Sequence, residues 1–227
     1  MRPPPVDRRW TELDRLAGGT ERQRRALPIL QRDLLPPLRR FAPLFVGSLP
    51  IGVEVASSDI DLACCAPRLD DFAAVARRAF GENRRCVGFE QWRGWMHRSP
   101  THVVRFSIDG FPVELFAQPA PAHRQIAFRH LVVEQRLLEL AGPALHREVV
   151  RRKARGASTE AAFADALGLG GDPFAAILAL EHHSDAALLP LIRRARLERS
   201  DDAGLCARPS DQKPLCPRSL YPRPASR

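Results

Sequence analysis

An α+β domain with a small mixed β-sheet, helices on one side and a helical C-terminal half is the fold class that this 227-residue sequence predicts. Three observations carry it. Short apolar runs bounded by Gly, Pro and Asp alternate with helical patterns up to Gln118. Asp109-Gly110 is a strong two-residue hairpin signal between two such runs. Beyond Ala122 the pattern is helical only, so the strands and the later helices are segregated as in an α+β layout.

The elements follow in order. Thr20 to Arg32 is a capped amphipathic helix with Leu27, Ile29 and Leu30 apolar, and Pro28 predicts a kink or break within it. Pro36-Pro37 ends the next short element. Leu44-Phe45-Val46 is a buried strand closed by Gly47, and Ile60 to Cys65 is a second strand. Asp70 to Phe80 is a helix with Phe72, Val75, Ala76 and Phe80 on one side. Strands are expected at Cys86 to Gln91 and His102 to Ile108, their connection carrying Gly94, Ser99 and Pro100. The hairpin turn then leads into Phe111 to Gln118. Helices are expected at Ala122 to Leu140, Pro143 to Arg155, Ser158 to Leu167 and Pro173 to His182. These elements predict a domain over residues 20–190, a partly disordered extension over 1–19 and a disordered Pro/Arg-rich tail over 191–227.

The net charge is +9, but Arg193 to Arg227 holds nine basic and four acidic residues and so supplies +5 of it. Charge alone therefore does not establish a nucleic-acid partner. The five cysteines, Cys64, Cys65, Cys86, Cys206 and Cys216, form no metal-finger spacing, which fits reduced thiols in a cytoplasmic protein. No signal-peptide pattern or membrane-length apolar run occurs.

The chemistry lies around Asp59 and Asp61. Alternation along a strand puts both carboxylates on one side and Ile60 and Leu62 on the other. Two like charges so close call for a cation. A hard divalent ion takes one or two carboxylates and fills its other positions with phosphate oxygens and water. Ten residues, Leu49 to Ser58, separate this pair from a Gly47-Ser48 turn, where backbone amides can approach phosphates. Glu114 is the only charge in the strand Phe111 to Ala117, so burial demands a partner, either a metal or an arginine.

Gly47-Ser48, the ten-residue gap, Asp59-Ile60-Asp61 and the later strand acid Glu114 resemble the signature of the polymerase-beta-like nucleotidyltransferase superfamily. Leu49-Pro50-Ile51-Gly52, Val113-Glu114-Leu115-Phe116, Gln118-Pro119, Phe128-Arg129-His130-Leu131 and the Ala162 to Pro173 stretch extend the resemblance to one subfamily. Its members are small bacterial nucleotidyltransferase-like proteins grouped as a domain of unknown function, and the likeness covers roughly Glu21 to Leu180.

The resemblance implies a nucleotidyltransferase fold with Mg²⁺ (or Mn²⁺) on Asp59, Asp61 and Glu114. It also implies transfer of a nucleoside monophosphate from a triphosphate to a hydroxyl on an RNA, a protein or a small molecule. Gly47, Ser48 and Arg129 are the expected nucleotide-binding residues. A non-catalytic nucleotide-binding regulator of the same fold and a basic nucleic-acid-binding module are the alternatives.

Bland readings fit the remaining motifs better. Gly168 to Gly171 lacks the lysine of a P-loop, and Asp172-Pro173 caps a helix instead. Arg151-Arg152-Lys153 is expected as a solvated helix end, and His130 with Glu134 as an i, i+4 pair on a solvated face. Trp92 and Trp95 are expected in hairpin packing.

Overall fold

A computed structural model describes residues 13–96 and 98–195. The chain divides into two compact units, the first ending at Val132 and the second beginning at Val133.

The first unit is built on a five-stranded mixed sheet of β1 (Leu44–Val46), β2 (Ile60–Cys65), β3 (Cys86–Met96), β4 (Ser99–Ile108) and β5 (Phe111–Gln118), in the order β1-β2-β5-β4-β3. The β2–β5 pair is parallel and the other three pairs are antiparallel. Asp109 and Gly110, both at positive φ, close the β4–β5 hairpin as the sequence predicts. One sheet face carries Ile60, Leu62 and Cys64 beside Val113, Leu115 and Ala117, with Val104 and Phe106 on the next strand. These residues form one core with Leu30, Leu34, Leu38, Phe72 and Phe80. Phe80 stacks on Phe106 at 4.8 Å between centroids, and Phe41 meets Phe72 edge-on at 5.3 Å.

The helical cover of that face begins at α1 (Glu21–Pro28), whose N-terminus is a capping box of Thr20 and Gln23. Of the kink or break expected at Pro28, the break does not occur. The missing N–H of proline falls where the helix widens into a π-helical stretch, Ile29–Leu34, and continues into α2 (Leu35–Leu38). Pro36 and Pro37 therefore lie inside α2 and do not end the preceding element. The helix α3 (Leu69–Ala76) likewise continues as a π-helical stretch, Arg77–Gly81.

The largest departure from expectation is the β3–β4 hairpin. Gly94, Ser99 and Pro100, expected in a connection, are paired strand residues, and the ladder runs without interruption from Glu90↔Arg105 to Met96↔Ser99. Pro100 is tolerated because it lies near the start of β4, beyond the last pair that β4 makes with β5 (His102↔Ala117), so only β3 flanks it. In the segment expected as an N-terminal extension, Asp14–Gly18 form a 3-10 turn that buries Leu16. Residues 1–12 lie outside the described ones.

The helix α4 (Ile126–Ala141) opens four residues later than expected, because Ala122–Arg124 form a separate 3-10 turn. The second unit continues with α5 (Pro143–Ala154), α6 (Thr159–Leu167), α7 (Pro173–Ala179) and α8 (Asp185–Arg194). Its centre is α6, whose small buried residues Ala162, Ala164 and Ala166 let α5, α7 and α8 approach. Ser158, Asp172 and Ser184 each accept a backbone N–H at a helix start. The helix α8, with Leu188 and Ile192 buried, is additional to the expected set. The tail expected from 191 overlaps it, and beyond Ala195 that tail lies outside the described residues. Among the described residues, no helix is long and apolar enough to cross a membrane.

Candidate metal centre

The parallel pairing of β2 with β5 sets Asp61 directly beside Glu114. The antiparallel pairing of β4 with β5 sets Arg105 on the other side of Glu114, and β1 sets Val46 beside Asp61. A cross-strand row, Val46–Asp61–Glu114–Arg105, therefore lies on the sheet face opposite the apolar core. Asp59 precedes β2 by one residue and belongs to the same side as Asp61. Each of Asp59, Asp61 and Glu114 offers one carboxylate oxygen, and these three atoms lie within 4.8 Å of one another. Asp61 is 5% exposed and Glu114 1%.

Three hard oxygen donors converging at this spacing match a site for a hard divalent cation, which takes carboxylates in preference to nitrogen or sulfur. Like charges held this close repel one another, and a cation among them relieves that repulsion. Arg105 donates to Glu114 Oε1 from both Nε and Nη2 at 2.7 Å. Its guanidinium lies 4.7 Å from the centre of the Trp92 ring. Metal and arginine were alternative partners for Glu114 in the sequence. In the structure the arginine holds one oxygen while the carboxyl group stays in the acidic cluster.

Gly47 follows β1 with φ +78°, and a Cβ there would collide with Asp61 Oδ2. Ser48 is buried at the start of a 3-10 turn, Leu49–Ile51, and its carbonyl accepts Val53 N–H at 3.2 Å. Gly52, with φ +74°, reverses the chain after that turn. At the other end of the loop, Ser58 Oγ accepts Val55 N–H at 2.9 Å, and Arg22 on α1 donates to the Ser58 carbonyl. Both ends of the ten-residue loop are thereby fixed, which sets where Asp59 starts β2.

Arg129 stands in the first turn of α4, half-buried, and is not part of the three-acid group. Gln125 precedes that helix. It is buried, and its amide donates to the carbonyls of Cys64 at 2.8 Å and Ala120 at 2.9 Å, tying the start of α4 to the end of β2. His130 and Glu134 are both buried, contrary to the solvated face expected of them. Lys153 is also buried, its ammonium donating to Thr159 Oγ1 at 2.6 Å, so only Arg151 and Arg152 fit the solvated helix end, both paired with Glu148. Burial pushes the Cys64 thiol far up, as suits a core residue. Of Trp92 and Trp95, the first is half-buried and the second is 76% exposed.

Arg22 and Arg105 are the residues that motif reasoning passed over. Arg105 was nonetheless accessible: it stands as far before the Asp109-Gly110 turn as Glu114 stands after it, which makes the two cross-strand partners. No comparable signal marks Arg22, whose role depends on how α1 packs.

The family model described as Domain of unknown function (DUF4269) matches residues 28–180. The chain belongs to this family. No curated protein matches it. Among solved structures it is similar to Cid1, described as having RNA terminal uridylyl transferase activity, with 18% identity and a TM-score of 0.42. That match covers 59% of this chain and 40% of the Cid1 chain, so the family member spans well under half of that protein's length. A chain of the GLD-2/RNP-8 complex matches with 13% identity and a TM-score of 0.48, covering 85% of this chain and 79% of the other.

Proposed function

We propose that this DUF4269 member is a metal-dependent nucleotidyltransferase of the polymerase-beta-like kind, moving a nucleoside monophosphate from a triphosphate to a hydroxyl. The observation that carries the reading is the convergence of Asp59, Asp61 and Glu114 within 4.8 Å, beside a glycine turn packed against one of them. A pure binding module needs no such concentration of buried negative charge.

In this reading Asp59 and Asp61 hold Mg²⁺ or Mn²⁺, and Glu114 completes the donor set. Bound divalent ions supply charge neutralisation for the triphosphate and for the developing charge on the attacking and leaving oxygens. Backbone amides at Gly47 and Ser48 orient the phosphates, which the missing Cβ of Gly47 makes possible. The acceptor oxygen forms its bond to the α-phosphorus as the bond to pyrophosphate breaks. Glu114 also helps to take the hydroxyl proton. Arg105 orients Glu114 by gripping Oε1. Arg129 belongs to this reading as a phosphate contact supplied from the first turn of α4.

The test is incubation with α-labelled triphosphates, Mg²⁺ or Mn²⁺ and candidate acceptors, beside Asp59→Ala and Asp61→Ala. Label transferred by the wild type and lost in both variants supports the assignment. Equal labelling by all three overturns it.

A further inference from the structure

A groove of about 560 Å³ on the first unit is lined by Arg24, Arg25, Arg32, Arg85 and Phe111, among others. Arg24, Arg25 and Arg32 are exposed. Arg85 is engaged by Asp33 at 2.6 Å and Asp109 at 2.5 Å, and the four arginines against these two acids leave the lining with a surplus of two positive charges. We infer that this groove binds the phosphodiester backbone of a single-stranded nucleic acid, the acceptor whose end is presented to Asp59 and Asp61.

Three features support that ligand. Guanidinium forks match phosphate oxygens two at a time, and the groove offers several in succession along one helical run. Phe111 is 1% exposed and covered by Arg22 at 4.4 Å and Arg25 at 5.5 Å, so the groove presents cations and no open ring for a base to stack on. It therefore reads backbone charge, not sequence. Arg22 also joins groove to site: the same guanidinium that covers Phe111 donates to Ser58 O, next to Asp59. The strand's role as acceptor rests on the proposed transfer reaction, whereas the binding itself does not.

The experiment measures anisotropy of short fluorescein-labelled oligouridylate and oligothymidylate against the full chain in EDTA over a salt series, with no triphosphate present. The variants are Arg25→Glu/Arg32→Glu and the milder Arg25→Gln/Arg32→Gln, all at exposed positions. The expected result is weaker binding by about tenfold or more and a log–log salt slope reduced by roughly 1.4, as two lost contacts to a single strand predict. Both probes should be affected alike, and polyglutamate should not compete. Wild-type affinity and slope in both variants, no binding by the wild type, or equal competition by polyglutamate would each overturn the groove assignment. If the wild type binds strands through these arginines yet transfers no label, the transfer reading fails and the groove stands.

Discussion

Gly47 and Asp61 occupy space that only one of them can fill: a Cβ on Gly47 would overlap Asp61 Oδ2 and lie 3.1 Å from its Cγ. The glycine also has φ +78°, where a side chain is strained whatever the space. Gly47→Ala is therefore expected to destabilise the fold by about 1–3 kcal/mol. It should also displace Asp61, so that the proposed nucleotidyl transfer falls much further than stability does. Urea unfolding alongside transfer kinetics checks both halves. An alanine variant with full activity would show that the close approach is incidental.

How much of this was legible in the sequence depended on how local each determinant is. The limits of β2 and β5 and the Asp109-Gly110 turn follow from short-range patterning, and with them the placement of Glu114 near the aspartates. The strand identity of Gly94, Ser99 and Pro100 was hidden because cross-strand pairing overrides the poor strand propensity of glycine and proline. The continuity of the helical run past Pro28 was hidden because the chain carries on there as a π-helical stretch, a geometry that no propensity scale records. The burial of His130, Glu134 and Lys153 was hidden for a different reason: polar residues on a helix read as solvent-facing unless the packing partner is known.

Removing Arg105 takes from the buried Glu114 carboxylate the guanidinium that grips its Oε1. Arg105→Met is expected to cost about 3 kcal/mol, since breaking one partner of a buried pair is worse than never having it. Arg105→Met/Glu114→Gln should recover part of that loss, because the uncompensated charge is then gone. The double-mutant cycle by chemical denaturation measures the coupling. Additive losses would mean that the pair is not energetically linked.

Adding a divalent ion offers a direct reading of the acidic cluster. Mn²⁺ at about 100 times its dissociation constant should stabilise the wild type by about 2.7 kcal/mol through mass action alone. Asp61→Asn removes one anionic oxygen from the three that converge, so the thermal shift should shrink or vanish. Melting curves with and without Mn²⁺ give the comparison. An undiminished shift in Asp61→Asn would place ion binding elsewhere.

The helical unit carries its own pH dependence. Burial pushes the Glu134 carboxyl well above the ordinary value of 4.5, the neighbouring Glu160 adds to the rise, and the Lys153 ammonium opposes it. Glu160 is raised as well, again chiefly by burial. With folded pKa values above the unfolded ones, the native chain holds more protons than the unfolded chain, so stability falls as pH rises. The penalty is absent below about pH 4.5, grows from there upward, and levels off once pH passes the raised pKa values of the folded state. Glu134→Gln keeps the shape and hydrogen-bonding capacity of the protonated form while removing the titration. Its melting temperature should therefore decline less between mildly acid and mildly alkaline pH, and its advantage over the wild type should widen as pH increases. Parallel slopes for the two proteins would mean that Glu134 is not the group that titrates.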